Sequence, residues 1–175
     1  IIGAGELGRG VAAVAEALAA LNFKVTGWSR RQKDQAGVRC LAGQEGLDEA
    51  LRAGEIVVLL LPQTPETDNV LDAKRLALLP AGACIINPGR GPLIDDDALL
   101  AALGRGQVAH ATLDVFRIEP LPKDHPFWAH PQVTVTPHIA SDTRPASAAR
   151  LVADNIGRFE AGLPMLHVVD RGAGY

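Results

Sequence analysis

The sequence predicts an α/β fold, a parallel sheet with helices wound on both faces, and three observations carry that prediction. Apolar runs of strand length recur along the 175 residues, stretches of helical periodicity separate them, and a glycine cluster stands where the first run meets the first helical stretch. Strands are expected near Ile1–Ile2, Lys24–Trp28, Ile56–Leu61, Cys84–Asn87, Val108–Val115 and Val133–Thr136. Several are apolar on both faces, as strands sandwiched between helices must be, and most run into Gly, Pro or Asn. Helices are expected at about Leu7–Ala20, Leu47–Arg52, Thr67–Leu79, Asp95–Leu103 and Asp142–Glu160, with Asp95 and Asp142 as N-caps and alanine-rich faces supporting the first and last. Phe116–Pro131 is rich in proline, carries two histidines and shows no period, which reads as a long loop with a job to do. The expected organisation is a cofactor-binding domain over residues 1–141 followed by a helix and return segment over 142–175.

Composition narrows the function classes. Hydrophobic residues make up 47%, charged residues 21%, and the formal net charge is −3, the profile of a compact globular domain. The longest apolar run, Ile56–Leu61, stops at Pro62, far short of a membrane span. A mildly acidic balance with 4% aromatics offers neither a basic stripe nor stacking platforms, so nucleic acid is not an expected partner. Cys40 and Cys84 form no CxxC pair and no zinc set, and a reducing cytoplasm fits them best. The chain starts at Ile1 almost directly before the glycine cluster, so it is expected to begin inside a strand, and its length to describe part of a longer protein.

Gly3-Ala4-Gly5-Glu6-Leu7-Gly8 is a G-x-G-x-x-G with a strand start before it and a helix after it. The first glycine permits the tight turn, the second lets backbone approach a pyrophosphate, and the third lets helix pack on strand, leaving free N–H groups and the positive helix end facing the phosphates. That context selects dinucleotide binding, and with it the Rossmann-type, doubly wound form of the fold, over a structural turn. Glu6 places a carboxylate beside that pyrophosphate. About twenty residues on, where NAD-binding domains carry an acid for the ribose hydroxyls, the second strand ends in Gly27-Trp28-Ser29-Arg30-Arg31. A hydroxyl followed by two guanidinium groups suits a 2′-phosphate, so NADP(H) is preferred and NAD(H) stays possible, with Asp34 a rival for the ribose and a solvated basic turn the plain alternative.

Three polar residues stand where an open α/β sheet places its ligands: Arg90 after Ile85-Ile86-Asn87-Pro88-Gly89, Glu119 in the long loop, and His138 after Val133-Thr134-Val135-Thr136-Pro137. Singly they read as a surface arginine, a loop carboxylate and a structural histidine. Beside a nicotinamide site they form a working set, because reducing a 2-oxo acid needs a cation for the carboxylate and carbonyl and a proton donor titrating near neutrality. His110, His125, His130 and His167 have no ligand-like spacing, and no metal is expected.

The runs Gly3–Gly8, Leu61-Pro62-Gln63-Thr64-Pro65-Glu66-Thr67, Asn87-Pro88-Gly89-Arg90-Gly91, Leu113–Pro122 and Thr136-Pro137-His138-Ile139-Ala140 resemble, in order, the signatures of D-2-hydroxyacid dehydrogenases over nearly the whole chain. Trp28-Ser29-Arg30, Phe127–Pro131, Thr143-Arg144-Pro145 and Val169–Tyr175 resemble the NADPH-preferring glyoxylate/hydroxypyruvate reductase branch.

The resemblance implies roles. His138 would be the acid/base, with Glu119 favouring its protonated form, and Arg90 would bind the substrate carboxylate and polarise the carbonyl. Asp114 would contact the nicotinamide carboxamide, its alternative being a carboxylate capping a strand end. Leu61, Pro62 and Thr67 would pass the cofactor, Asn87 and Ala140 would join the cofactor site, and Trp128 would either line the substrate pocket or anchor its loop. It further implies a small 2-oxo acid substrate, a homodimer, and a substrate domain built partly from residues before Ile1, without which this stretch would bind NADP(H) but turn over little. An NAD-dependent 2-hydroxyacid or phosphoglycerate dehydrogenase is the nearer alternative. A nucleotide-sensing corepressor, which shares the family fold, is the alternative from another class.

Overall fold

The computed structural model describes residues 1–3, 8–141 and 143–172. The chain divides into two compact units, Ile1–His138 and Ile139–Tyr175. In the first unit, α1 (Gly8–Ala20), β1 (Thr26–Ser29), β2 (Arg39–Ala42), α2 (Gly43–Ala53), β3 (Ile56–Val58), α3 (Ala73–Leu76), β4 (Ala83–Asn87), α4 (Asp96–Gly104), β5 (Val108–Leu113) and β6 (Val133–Val135) follow in order, with single 3-10 turns at Gly91–Leu93 and Pro126–Trp128. The second unit contributes α5 (Pro145–Glu160).

All strand pairs are parallel. β1 pairs with β2, and β3, β4, β5 and β6 pair in that sequence. Ile2 makes parallel bridges to both Trp28 and Leu59, so the first residues lie between β1 and β3 and join the two groups. The strand order therefore reverses at Ile2, and in a sheet of this kind the ligand crevice lies outside the carboxyl end of that position. Because every strand points the same way, the segments after Ile2, β1, β3, β4, β5 and β6 emerge along one edge. The expected α/β sheet is the observed one.

Burial explains the element positions. Val57, Leu59, Ile85, Ala111 and Leu113 pack with Leu47, Leu51, Leu76, Leu99 and Leu103 from the helices in one core. The α4 helix starts where Asp95 accepts a hydrogen bond from the Ala98 N–H at 2.9 Å, the N-cap expected from sequence.

Several expected elements are corrected. The helix expected at Thr67–Leu79 shrinks to Ala73–Leu76. Asn69 adopts φ 50, and Leu71, completely buried, pairs in parallel with Ile94, so the apolar Val70-Leu71 pair feeds the core from extended backbone. Asp72 then caps the short helix by accepting from the Arg75 N–H. The helix expected at Leu47–Arg52 is longer, Gly43–Ala53, because its first turn needs few apolar residues. β2 went unforeseen: Arg39-Cys40-Leu41-Ala42 is short, mixed in polarity and buried on neither face, so it lacks the pattern that marks a buried strand. The α5 helix begins at Pro145 with Arg144 in the cap position; the expected cap Asp142 lies outside the described residues.

Candidate active site

The crevice begins at the glycine turn. Gly3 has φ +113, and a Cβ there would meet the Leu60 carbonyl carbon and Leu61 nitrogen at 2.7 Å. Glycine is required twice over, for its backbone conformation and for the closeness of the segment following β3. Gly8 opens α1, while Gly5, Glu6 and Leu7 lie outside the described residues.

On one side of this turn β1 ends in Ser29, Arg30 and Arg31. Ser29 is buried, and its hydroxyl donates to the Arg31 carbonyl at 2.6 Å, closing a turn on which Arg30 and Arg31 are both exposed. On the other side runs Leu61–Thr67. The Thr67 hydroxyl donates to the Pro62 carbonyl at 2.8 Å and accepts from the Thr64 N–H at 2.8 Å, so one side chain closes the loop on itself. Glu66 in this loop is held below the ordinary carboxylate range, first by the Thr64 side chain, then by its own N–H, with the charge of Arg30 adding to them against a small opposing effect of burial.

The segments after β4, β5 and β6 build the second half. Asn87, 1% exposed, accepts from the Gly89 N–H at 3.1 Å and donates from Nδ2 to the Arg90 carbonyl at 2.9 Å, which shapes the turn carrying Arg90. Asn87 was expected in the cofactor site; the structure shows its side chain engaged within the turn. Arg90 is exposed, and its Nη1 donates to the Gly89 carbonyl at 2.7 Å. Asp114, 4% exposed, sits just beyond β5 and accepts from the Thr136 hydroxyl at 2.5 Å, tying the ends of β5 and β6 together.

Glu119 and His138 meet directly. Glu119 Oε2 lies 2.7 Å from His138 Nδ1, and Glu119 Oε1 accepts from the Phe116 N–H at 2.9 Å. Burial pushes the Glu119 carboxyl up, but the hydrogen bonds from His138 and from the Phe116 N–H, with the charges of His138 and Arg90, outweigh it and hold the group below its ordinary value. His138 has φ 56, a left-handed conformation that costs a non-glycine residue about 1–2 kcal/mol. With Nδ1 committed to Glu119 and the side chain half exposed, Nε2 is the nitrogen left for a reactant.

The structure therefore pairs Glu119 with His138 and packs the turn after Arg90 against the loop that carries Glu119, sets Ser29–Arg31 and Leu61–Thr67 on either side of Gly3, and places Asp114 between the ends of β4 and β6. Phe127, 2% exposed, is the packing anchor of the long loop, whereas Trp128 is 53% exposed with its indole N–H donated to the Pro122 carbonyl at 2.9 Å. Ala140 belongs to the second unit. Among the described residues no group of three His, Cys, Asp or Glu side chains is arranged to hold a metal ion.

Two residues escaped sequence reasoning. A Cβ on Gly91 would overlap the Phe116 carbonyl and the Arg117 nitrogen, so the turn after Arg90 lies flat against the loop that carries Glu119. Arg117 donates to Asp68 at 3.4 Å, to the Asn69 side chain, and to the Ile94 and Pro92 carbonyls at 2.9 and 3.3 Å. Both lie inside runs whose pattern was noticed, but their partners are distant in sequence and no local signal names them.

A parallel sheet reversing at a glycine turn, with polar side chains gathered at its carboxyl edge, defines a Rossmann-type dinucleotide-binding domain. The chain belongs to the D-isomer specific 2-hydroxyacid dehydrogenase family: the model of that family's NAD binding domain matches residues 1–140. The chain is 47% identical over 175 residues to glyoxylate/hydroxypyruvate reductase A of Serratia proteamaculans (strain 568), covering 100% of this chain and 55% of that protein. It resembles the crystal structure of a D-isomer specific 2-hydroxyacid dehydrogenase from Xanthobacter autotrophicus Py2 in complex with NADPH and MES, with a TM-score of 0.94 and 51% identity over 99% of this chain and 71% of that one. It also resembles the NADPH-dependent glyoxylate/hydroxypyruvate reductase of Sinorhizobium meliloti in complex with NADP and sulfate, with a TM-score of 0.92 and 40% identity over 99% of this chain and 55% of that one. The chain spans about half the length of the curated relatives it matches.

Proposed function

We propose that this chain is the cofactor-binding and acid/base half of an NADPH-dependent reductase that converts small 2-oxo acids such as glyoxylate and hydroxypyruvate to 2-hydroxy acids. The observation that carries this reading is the 2.7 Å Glu119–His138 pair within electrostatic reach of Arg90, at the edge where the glycine turn opens. The crevice fits a dinucleotide. Gly3 lets the start of the glycine motif lie directly against the Leu60–Leu61 backbone at the carboxyl edge of the sheet, and the strand end beside it carries Ser29, Arg30 and Arg31 with no carboxylate among them. Gly3, Gly5, Gly8 and the N-terminus of α1 would hold the pyrophosphate, Arg30 and Arg31 the 2′-phosphate, Leu61, Pro62 and Thr67 the adenosine side, and Asp114 the carboxamide. The relatives whose printed descriptions name NADPH or NADP support the same cofactor.

When bound, the reduced cofactor supplies the hydride that reaches the carbonyl carbon. Arg90 binds the substrate carboxylate and, by its fixed charge, stabilises negative charge growing on the carbonyl oxygen. His138 delivers its Nε2 proton to that oxygen, giving the hydroxyl group, while Glu119 holds Nδ1 and the imidazole plane in place. Trp128 stands exposed near the end of the same loop, available to a substrate side chain.

Residues 142–175 are, in the same reading, the helix and return segment toward a substrate-binding domain. The two cysteines, both unpaired, support residence in a reducing cytoplasm, and no described helix is long and apolar enough to cross a membrane. A homodimer is the expected assembly; light scattering of the intact protein checks it. The activity is tested by steady-state reduction of glyoxylate and hydroxypyruvate with NADPH and with NADH. The expected result is turnover with a strong NADPH preference; absence of turnover overturns the reductase assignment, and a large NADH preference overturns the cofactor assignment.

A further inference from the structure

The Glu119 loop and the Arg90 turn meet at one peptide. The Phe116 N–H holds Glu119 Oε1, and the Phe116–Arg117 peptide lies against Gly91, the residue directly after Arg90. From that peptide the Arg117 side chain reaches two other pieces of chain. It donates to Asp68 and Asn69, which follow the Leu61–Thr67 loop, and to the Pro92 and Ile94 carbonyls of the turn that follows Arg90. These pieces are also joined to each other, since the Asn69 N–H donates to Pro92 O at 2.8 Å and the Leu71 N–H to Leu93 O at 3.0 Å. Asn69 presents its side chain from a left-handed backbone. Arg117 thus bonds the Glu119 loop to both the Arg90 turn and the segment following the loop expected to pass the cofactor. A planar guanidinium presents its N–H groups in a fixed fork, here Nη1 toward Asp68 and Nη2 shared among Asn69, Pro92 and Ile94, a geometry that a lysine ammonium does not reproduce.

We propose that Arg117 is a positioning residue for the 2-oxo acid reductase reaction, setting Glu119, and through it His138, at working distance from Arg90 by clasping these three segments together. The proposal rests on the reading of Arg90, Glu119 and His138 as the substrate-reducing set. Arg117 touches none of the reacting atoms; it fixes the spacing between the groups that do, and an error of about 1 Å in such spacing costs roughly a hundredfold in rate.

The test uses the intact protein with NADPH and glyoxylate. Arg117→Met keeps the length of the side chain and removes its donors, Arg117→Lys restores the charge without the fork, and Asn69→Gly removes one acceptor while keeping a residue at ease with positive φ. The expected result is a fall in kcat of about tenfold to a hundredfold for Arg117→Met, with glyoxylate KM raised and the NADPH dissociation constant within twofold of the parent. Arg117→Lys recovers less than half of the loss, Asn69→Gly shows a smaller fall in the same direction, and the acid-side loss of kcat moves to higher pH because Glu119 no longer sits where its hydrogen bonds hold it down. Parent-like kcat and pH profile in Arg117→Met overturn the proposal, as does full rescue by lysine, or a loss confined to thermal stability and shared equally by NADPH binding. Failure of the underlying reading shows elsewhere: if His138→Ala retains turnover the reducing set itself is wrong, whereas if His138→Ala is inactive and Arg117→Met is normal only the role of Arg117 falls.

Discussion

The two sides of the crevice are built differently. On the cofactor side, the elements that matter are local: a glycine turn, a strand end with two arginines, and a loop closed by one threonine hydroxyl within five residues. On the side that carries Arg90, Glu119 and His138, local turns shape each segment, but the contacts that join the segments to one another span long stretches of chain. Glu119 meets His138 across 19 residues, Thr136 meets Asp114 across 22, and Arg117 meets Asn69 across 48. Recognition of a dinucleotide needs exposed donors on a sheet edge, which short motifs can encode. Proton transfer needs groups held to within fractions of an ångström, and only packing between loops achieves that.

The sharpest way to break the second side while sparing the first is Gly91→Ala. The added Cβ would overlap backbone atoms of Phe116 and Arg117, and backbone cannot swing away as a side chain can. Stability is expected to fall by about 3 kcal/mol, read as a shift in the denaturation midpoint, with turnover of the remaining folded protein cut far more than its NADPH affinity. Breaking the first side is gentler. On the proposed reading Arg30 would contact the 2′-phosphate, so in Arg30→Ala NADPH should bind roughly tenfold to a hundredfold more weakly, while NADH affinity and kcat at saturating NADPH stay close to the parent. Parallel titrations of both cofactors show whether the effect is confined to the phosphate.

A smaller effect concerns pH. Glu119 is depressed in the folded protein, so its pair with His138 adds stability that is complete above the ordinary carboxylate value and is lost as pH falls through the depressed one. Both groups are substantially exposed, and the contribution is correspondingly modest. Urea denaturation at a series of acidic pH values should show a steeper loss for the parent than for Glu119→Gln, which has no carboxylate to protonate there.

The same division governs what could be read from sequence. The parallel sheet was legible, because apolar runs and helical stretches announce themselves by residue type and short spacing, and the glycine motif, the arginines after β1 and the residues Arg90, Glu119 and His138 could be picked out in the same way. The ends of elements were less so. The Thr67–Leu79 stretch has helical periodicity, yet Leu71 is drawn into pairing with Ile94, and no pattern within the stretch could show a partner more than twenty residues away. Asn87 could be named from its place at a strand end, but its bonds to the Gly89 N–H and the Arg90 carbonyl, which shape the Arg90 turn, carry no mark in the sequence. Arg117 and Gly91 sat inside recognisable runs without any local mark of what they touch.

The claim that the two sides divide the labour is tested most directly by the rate of glyoxylate reduction by His138→Ala in the intact protein at saturating NADPH, with the NADPH dissociation constant measured on the same sample. Loss of the proton donor should lower kcat by about a hundredfold to ten-thousandfold while NADPH affinity stays within about twofold of the parent. A kcat close to the parent's, or a loss that falls on NADPH affinity instead, would contradict it.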